Sequence, residues 1–194
     1  MALINNLILY SLVVLFLHGC SPTNILATGS GGAMVIAEGE RSMGSVIDDA
    51  TIKVNIAAKF INSTDNLFVD ISTTVLDGRV LLTGLVDNQE IRIDAVRKVW
   101  EVEGVQEVIN EIQLGNRDTL KEYANDLWIN TQAKGLAAKA VGLRVVGYNF
   151  ETIKGKVYVA GITSRPKQVE DLINAVKTIK GVKEIVNYVI IKEK

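Results

Sequence analysis

Val80-Leu81-Leu82-Thr83-Gly84 returns 77 residues later as Val157-Tyr158-Val159-Ala160-Gly161, and the repetition extends without a gap from 49–114 onto 126–191. Identical pairs include Asp49 with Asp126, Ile52 with Ile129, Val69 with Val146, Gly78 with Gly155, Val99 with Val176, Gly104 with Gly181 and Asn110 with Asn187. Twelve identities in 66 positions is modest. The weight lies in where the glycines fall, at turn and helix-end positions of both copies.

Each copy reads as helix, strand, strand, helix, strand. In the first, Asp49 is expected to N-cap a helix running to about Ile61. Val69, Ile71 and Val75 alternate as a strand, Asp77-Gly78 signals a hairpin, and Val80, Leu82 and Val86 alternate on the return. A second helix carries Ala95, Val96, Val99 and Val102 at helical spacing and stops at Gly104, before a final strand through Val108, Ile112 and Leu114. In the second copy, Val169, Leu172, Ile173, Val176 and Ile179 play the helical part and a strand follows Gly181. Two helices cover only one face of a three-stranded sheet. The expected fold class is α+β: two tandem αββαβ domains, over 46–114 and 118–194, each a three-stranded sheet covered on one face by two helices.

These strand-end patterns, with Val102-Glu103-Gly104-Val105 and Ile179-Lys180-Gly181-Val182 ahead of the last strands, resemble the BON domain. Ahead of the repeats, Leu7 to Leu17 forms an apolar run of 11 residues, short of the roughly 20 that span a bilayer but suited to a secretion signal. Leu17-His18-Gly19-Cys20 follows and resembles the bacterial lipobox. The combination resembles the dual BON-domain outer-membrane lipoprotein group, the DolP type, as do Arg41-Ser42-Met43-Gly44 and Asn125-Asp126-Leu127-Trp128-Ile129. The resemblance implies a signal peptide over 1–19 and cleavage before Cys20. It further implies acylation of Cys20, palmitate included, and passage to the outer membrane permitted by Ser21. It also implies a periplasm-facing protein that supports envelope integrity, with BON domains as phospholipid-binding or interaction modules and no enzymatic activity. The segment 20–45, with Gly29-Ser30-Gly31-Gly32, reads as a lipidated flexible tether. An uncleaved amphiphilic anchor with a chance cysteine is the plainer alternative.

His18 is the one histidine and Cys20 the one cysteine of the 194 residues. The repeats therefore lack the side chains for a disulfide, a zinc cluster, a Ser-His-Asp triad or a Cys-His dyad. Asp48-Asp49 and Glu101/Glu103 are the carboxylate pairs an enzyme would need, and they read instead as a cap and a solvated helix face. No catalytic residue, metal or cofactor is expected.

The net charge of −1 hides an asymmetry: 46–114 holds 12 acids and 6 bases, whereas 118–194 holds 8 acids and 13 bases. The basic second domain is the one expected to meet an anionic phospholipid membrane. The family resemblance carries a lipid-contact role onto Trp128, and with it Leu127 and Lys134; Lys121 and Lys139 lie nearby in sequence. Indole suits the headgroup layer, with its apolar ring and polar N–H. Trp128 equally fits a core or domain interface, the lysines equally fit a solvated face, and Trp100 reads as ordinary packing. On the last strand, Val186, Tyr188 and Ile190 stand opposite the core face where the first copy has Ile109, Glu111 and Gln113. An apolar outer face needs a cover. The first domain is expected to supply it, leaving the helix of Trp128 free. Competing with lipid binding is a scaffold that engages an outer-membrane or periplasmic protein; nucleic acid is not an expected partner, since the aromatic clusters of a single-strand platform are absent.

Overall fold

The structure, a computed structural model, describes residues 42–63, 65–115, 120–142 and 147–193. The signal segment, Cys20, nearly all of the expected tether and Val146 lie outside the described residues.

The first repeat runs α1 (Met43–Ile61), a single-turn α2 (Leu67–Asp70), β1 (Ile71–Leu76), β2 (Arg79–Val86), α3 (Gln89–Trp100) and β3 (Glu107–Leu114). The second runs α4 (Leu120–Val141), β4 (Tyr148–Ile153), β5 (Lys156–Thr163), α5 (Pro166–Lys177) and β6 (Glu184–Ile191). Each sheet has the return strand of the hairpin at its centre, antiparallel to the strand before it and parallel to the one after. The parallel pairing needs a crossover, which α3 and α5 supply.

Two helices close one face of each sheet. In the first repeat, Ile52 and Ile56 of α1 and Ala95 and Val99 of α3 meet Val80 and Leu82 of β2. In the second, Ile129, Ala133 and Ala137 of α4 and Leu172 and Val176 of α5 meet Val157 and Val159.

The first helix starts at Met43, capped by the Ser42 hydroxyl, which accepts from Ser45 N. Asp49 is therefore not an N-cap. It lies inside the helix, buried, and its two carboxylate oxygens accept the backbone N–H groups of Asp77 and Gly78, each at 2.8 Å. Asp126 does the same for Lys154 and Gly155, at 2.8 and 2.9 Å. Both two-residue turns have positive φ at each central residue, 51° and 74° in the first and 52° and 80° in the second, the twist that suits a tight hairpin. Such a turn aims successive N–H groups the same way, and a carboxylate is the acceptor that takes both. The turn glycine's carbonyl is occupied as well, by Gln106 N in one copy and Lys183 N in the other, both at 2.9 Å. One turn thus ties together the first helix, the hairpin and the entry to the last strand.

Two further differences from the sequence expectation have local causes. Val69 is not in a strand; the chain makes the single turn of α2 first and leaves Val69 81% exposed. Trp100 is not packed but 52% exposed, because Val99 already takes the core-facing position and the next residue turns about 100° away. At Gly84, φ of 151° and a Cβ that would sit 2.2 Å from the Asp70 carbonyl oxygen exclude any side chain.

Replacing Asp49 or Asp126 by Ala strands two turn N–H groups, one buried and one part-buried. Each substitution is expected to cost about 3 kcal/mol and to lower the melting temperature by roughly 6–12 °C, read by calorimetry, with similar losses from the two equivalent sites.

Candidate functional site

Three of the residues read from sequence as lipid contacts share one line of α4. Ile129, Ala133, Ala137 and Val141 bury the core face of this helix. Lys121, Trp128 and Lys139 are spaced by 7 and 11 residues, which at about 100° per residue places all three on the side opposite that core, spread over roughly 27 Å. Trp128 is 47% exposed, and both lysines are exposed. Leu127 and Lys134, also exposed, sit about a third of a turn away on one flank. The five residues therefore form an outward line and a flank. Sequence reasoning left out Leu120 and Tyr123, also exposed on the first turns of α4; their apolar character off the core stripe was the available signal.

Val186, Tyr188 and Ile190 lie in a seam between the domains, where the helix-free faces of the two sheets meet. One side of the seam groups Leu76, Leu81, Ala160 and Ile162 with Ile109, Tyr188 and Ile190. The other groups Leu85, Ile153 and Tyr158 with Val186 and Tyr188. Leu76 against Ile162 and Leu85 against Ile153 are the same pair of repeat positions with the copies exchanged, so the seam has an approximate two-fold axis. Sequence reasoning fixed on the last strand and missed the central ones. Their signal was that β2 is apolar in both phases of its alternation, from Val80-Leu81-Leu82 through Leu85-Val86, as in a strand buried on both faces.

Polar groups close the seam. The Tyr188 hydroxyl donates to Glu111 Oε1 at 2.5 Å, joining the same repeat position of the two copies. Gln113 Nε2 donates to the Tyr158 hydroxyl at 3.1 Å. Lys156 Nζ lies 3.4 Å from Glu111 Oε2 and 3.3 Å from Glu184 Oε1, and Lys192 pairs with Asp77 across the domains.

Burial, then the hydrogen bond to Glu111 and its negative charge, push the Tyr188 phenol well above the ordinary tyrosine range. Burial also raises Tyr158, against the opposing pull of the Gln113 hydrogen bond. For Lys156 burial acts downward, but Tyr158, Glu184 and Glu111 outweigh it and leave the ammonium raised. All three groups are held protonated by the fold. Their stabilisation is fully present below about pH 10, where the unfolded groups are also protonated, and is lost as pH rises through the raised values. Urea midpoints are expected to be level from neutral pH to about pH 10 and to fall above it. Tyr188→Phe should reduce that fall while weakening the protein modestly at neutral pH.

Among the described residues no helix is long and apolar enough to cross a membrane, and no three His, Cys, Asp or Glu side chains are grouped to hold a metal ion.

The family model described as BON domain matches residues 48–116 and 125–193. A protein of Anaplasma centrale, "Uncharacterized protein in gshII 5'region", is 38% identical over 147 residues, covering 75% of this chain and 96% of its own. The outer membrane lipoprotein DolP of Haemophilus influenzae is 27% identical over 181 residues, covering 89% and 88%. Osmotically-inducible protein Y of Escherichia coli is 26% identical over 168 residues, covering 84% and 83%.

Proposed function

The chain belongs to the BON-domain family, in two tandem copies, and from that membership we propose a non-enzymatic protein of the bacterial envelope whose second domain contacts anionic phospholipid. Likeness to an outer membrane lipoprotein along 89% of the chain, together with the lipobox-like Leu17-His18-Gly19-Cys20, supports attachment through Cys20 at the periplasmic face of the outer membrane. The segment from Cys20 to the first helix then serves as the tether, and the protein supports envelope integrity. Lipid on Cys20 holds the protein at a membrane, since two acyl chains suffice for stable anchoring. Contact by the second domain decides where along that membrane it rests.

The observation that carries this reading is the outward line of α4. Trp128 stands half exposed between two lysines on a helix whose core face is already filled. An indole at headgroup depth flanked by cations suits an anionic bilayer, where each lysine contributes about 1 kcal/mol within a Debye length of about 8 Å. The second reading, a scaffold for an envelope protein, would use the same face against an acidic partner.

The seam dictates how this is tested. Separated domains would expose Leu81, Leu85, Tyr158 and Ile162, so both domains stay together in a chain lacking residues 1–20. Co-sedimentation is expected with phosphatidylglycerol vesicles and not with phosphatidylcholine vesicles. Trp128→Ala should reduce it with an unchanged melting temperature, and Lys121→Glu or Lys139→Glu should weaken it at least about fivefold. Wild-type protein that ignores both vesicles would remove the lipid reading and leave the scaffold.

A further inference from the structure

The outward side of α1 carries an apolar line. Ile47, Val54 and Ile61 recur every seven residues and are between 59% and 67% exposed. At about 100° per residue they drift by only about 20° per step and stand nearly opposite Ile52 and Ile56, which face the core. Ala50 and Ala57 fall three residues after Ile47 and Val54, so the five residues occupy the a and d positions of a heptad pattern. Lys59, on the α3 side of the helix, is already paired with Glu101 of the same domain at 2.9 Å.

The repeat provides an internal control. The positions 77 residues later, Ala124, Leu127, Thr131, Lys134 and Ala138, are likewise exposed on α4, but a hydroxyl and an ammonium break the apolar line. The αββαβ fold therefore does not require such a stripe on the outside of its first helix. The second domain does not cover it, because that domain occupies the helix-free face on the other side of the sheet. An anionic bilayer is a poor cover, since residues 46–114 carry 12 acids against 6 bases.

What the stripe fits is itself. Two copies of this 19-residue helix, laid antiparallel with their ends level, set Ile47 opposite Ala57 and Val54 opposite Ala50 of the second copy. Each large side chain then faces a small one, the alternation that lets facing layers interdigitate. A parallel pairing would set alanine against alanine and leave gaps. Antiparallel helices also oppose their dipoles. We propose that α1 pairs with α1 of a second copy of this chain about a two-fold axis, forming a homodimer. Two helices about 28 Å long bury roughly 1,000 Å² in all, at the low end of specific interfaces, so the dimer is weak. Lys53, on the flank of the stripe, approaches its own copy across the axis. Salt therefore strengthens this dimer, whereas it weakens lysine contacts with a bilayer. The dimer goes beyond the lipid reading and does not depend on it, since α4 takes no part.

The test is sedimentation velocity on the chain lacking residues 1–20, over about 5–500 µM. A monomer–dimer equilibrium is expected with Kd of about 10–300 µM, tighter at about 500 mM sodium chloride than at about 50 mM. Val54→Lys changes an exposed residue, so the melting temperature should hold while the Kd rises at least about tenfold. Cys20 is the one cysteine, so this chain offers a cysteine-free background. A mixture of Ala50→Cys and Val54→Cys chains should oxidise to the mixed disulfide in preference to either homodimer. Ile47→Cys alone should form no disulfide, its two copies lying about 15 Å apart along the helix axis. A wild-type chain that stays monomeric to about 500 µM, a Val54→Lys chain that dimerises as before, or efficient self-crosslinking of Ile47→Cys would each overturn the proposal. A monomeric wild type whose vesicle binding is lost in Val54→Lys would overturn it in favour of a lipid face.

Discussion

Each repeat is organised around a carboxylate buried inside its first helix. The two N–H groups of the hairpin turn must find acceptors, because the turn is covered by the helix and by the entry to the last strand. Asp49 and Asp126 meet both at once. This one contact fixes the rotation of the helix over the sheet. With Asp126 facing inward, Trp128 two residues later is turned by about 200° and must face out. The exposure of the candidate membrane line is thus a consequence of the clamp beneath it.

The second constraint is the open face of each sheet. Two helices cover one side only, and a single repeat leaves Leu81 and Leu85, or Tyr158 and Ile162, without a cover. The chain solves this by folding its two copies back to back, as two identical subunits would about a two-fold axis. In a true dimer the position on the axis would meet its own copy. Here the duplication has diverged, so Glu111 of one copy meets Tyr188 of the other. An acceptor and a donor replace what would be a like pair, and the seam becomes specific for one chain's two halves.

Comparison of the copies separates what holds the fold from what differs beside it. The clamp aspartates, turn glycines and helix-end glycines recur. So does a local device on the outer strand: Asn110 Oδ1 accepts from Ile112 N, and Asn187 Oδ1 accepts from Val189 N, at 3.1 and 3.0 Å, occupying N–H groups of an edge strand. Among the many positions that differ are several on and beside α4. Leu127, Trp128, Asn130 and Thr152 stand where the first copy has Ala50, Thr51, Lys53 and Val75.

The sequence by itself determined the repeat, the order of elements and the core faces, because glycine spacing and apolar periodicity are local properties written directly in the chain. It also marked Val186, Tyr188 and Ile190 as needing a cover, since an apolar phase opposite the core phase is visible along one strand. Asp49 was misread because a carboxylate near a helix start looks the same whether it caps the helix or reaches a turn 28 residues later. Which residues cover the last strand and which side of α4 Trp128 occupies were decided by tertiary structure. Each depends on atoms brought together from distant parts of the chain, and no local pattern encodes the distance between them.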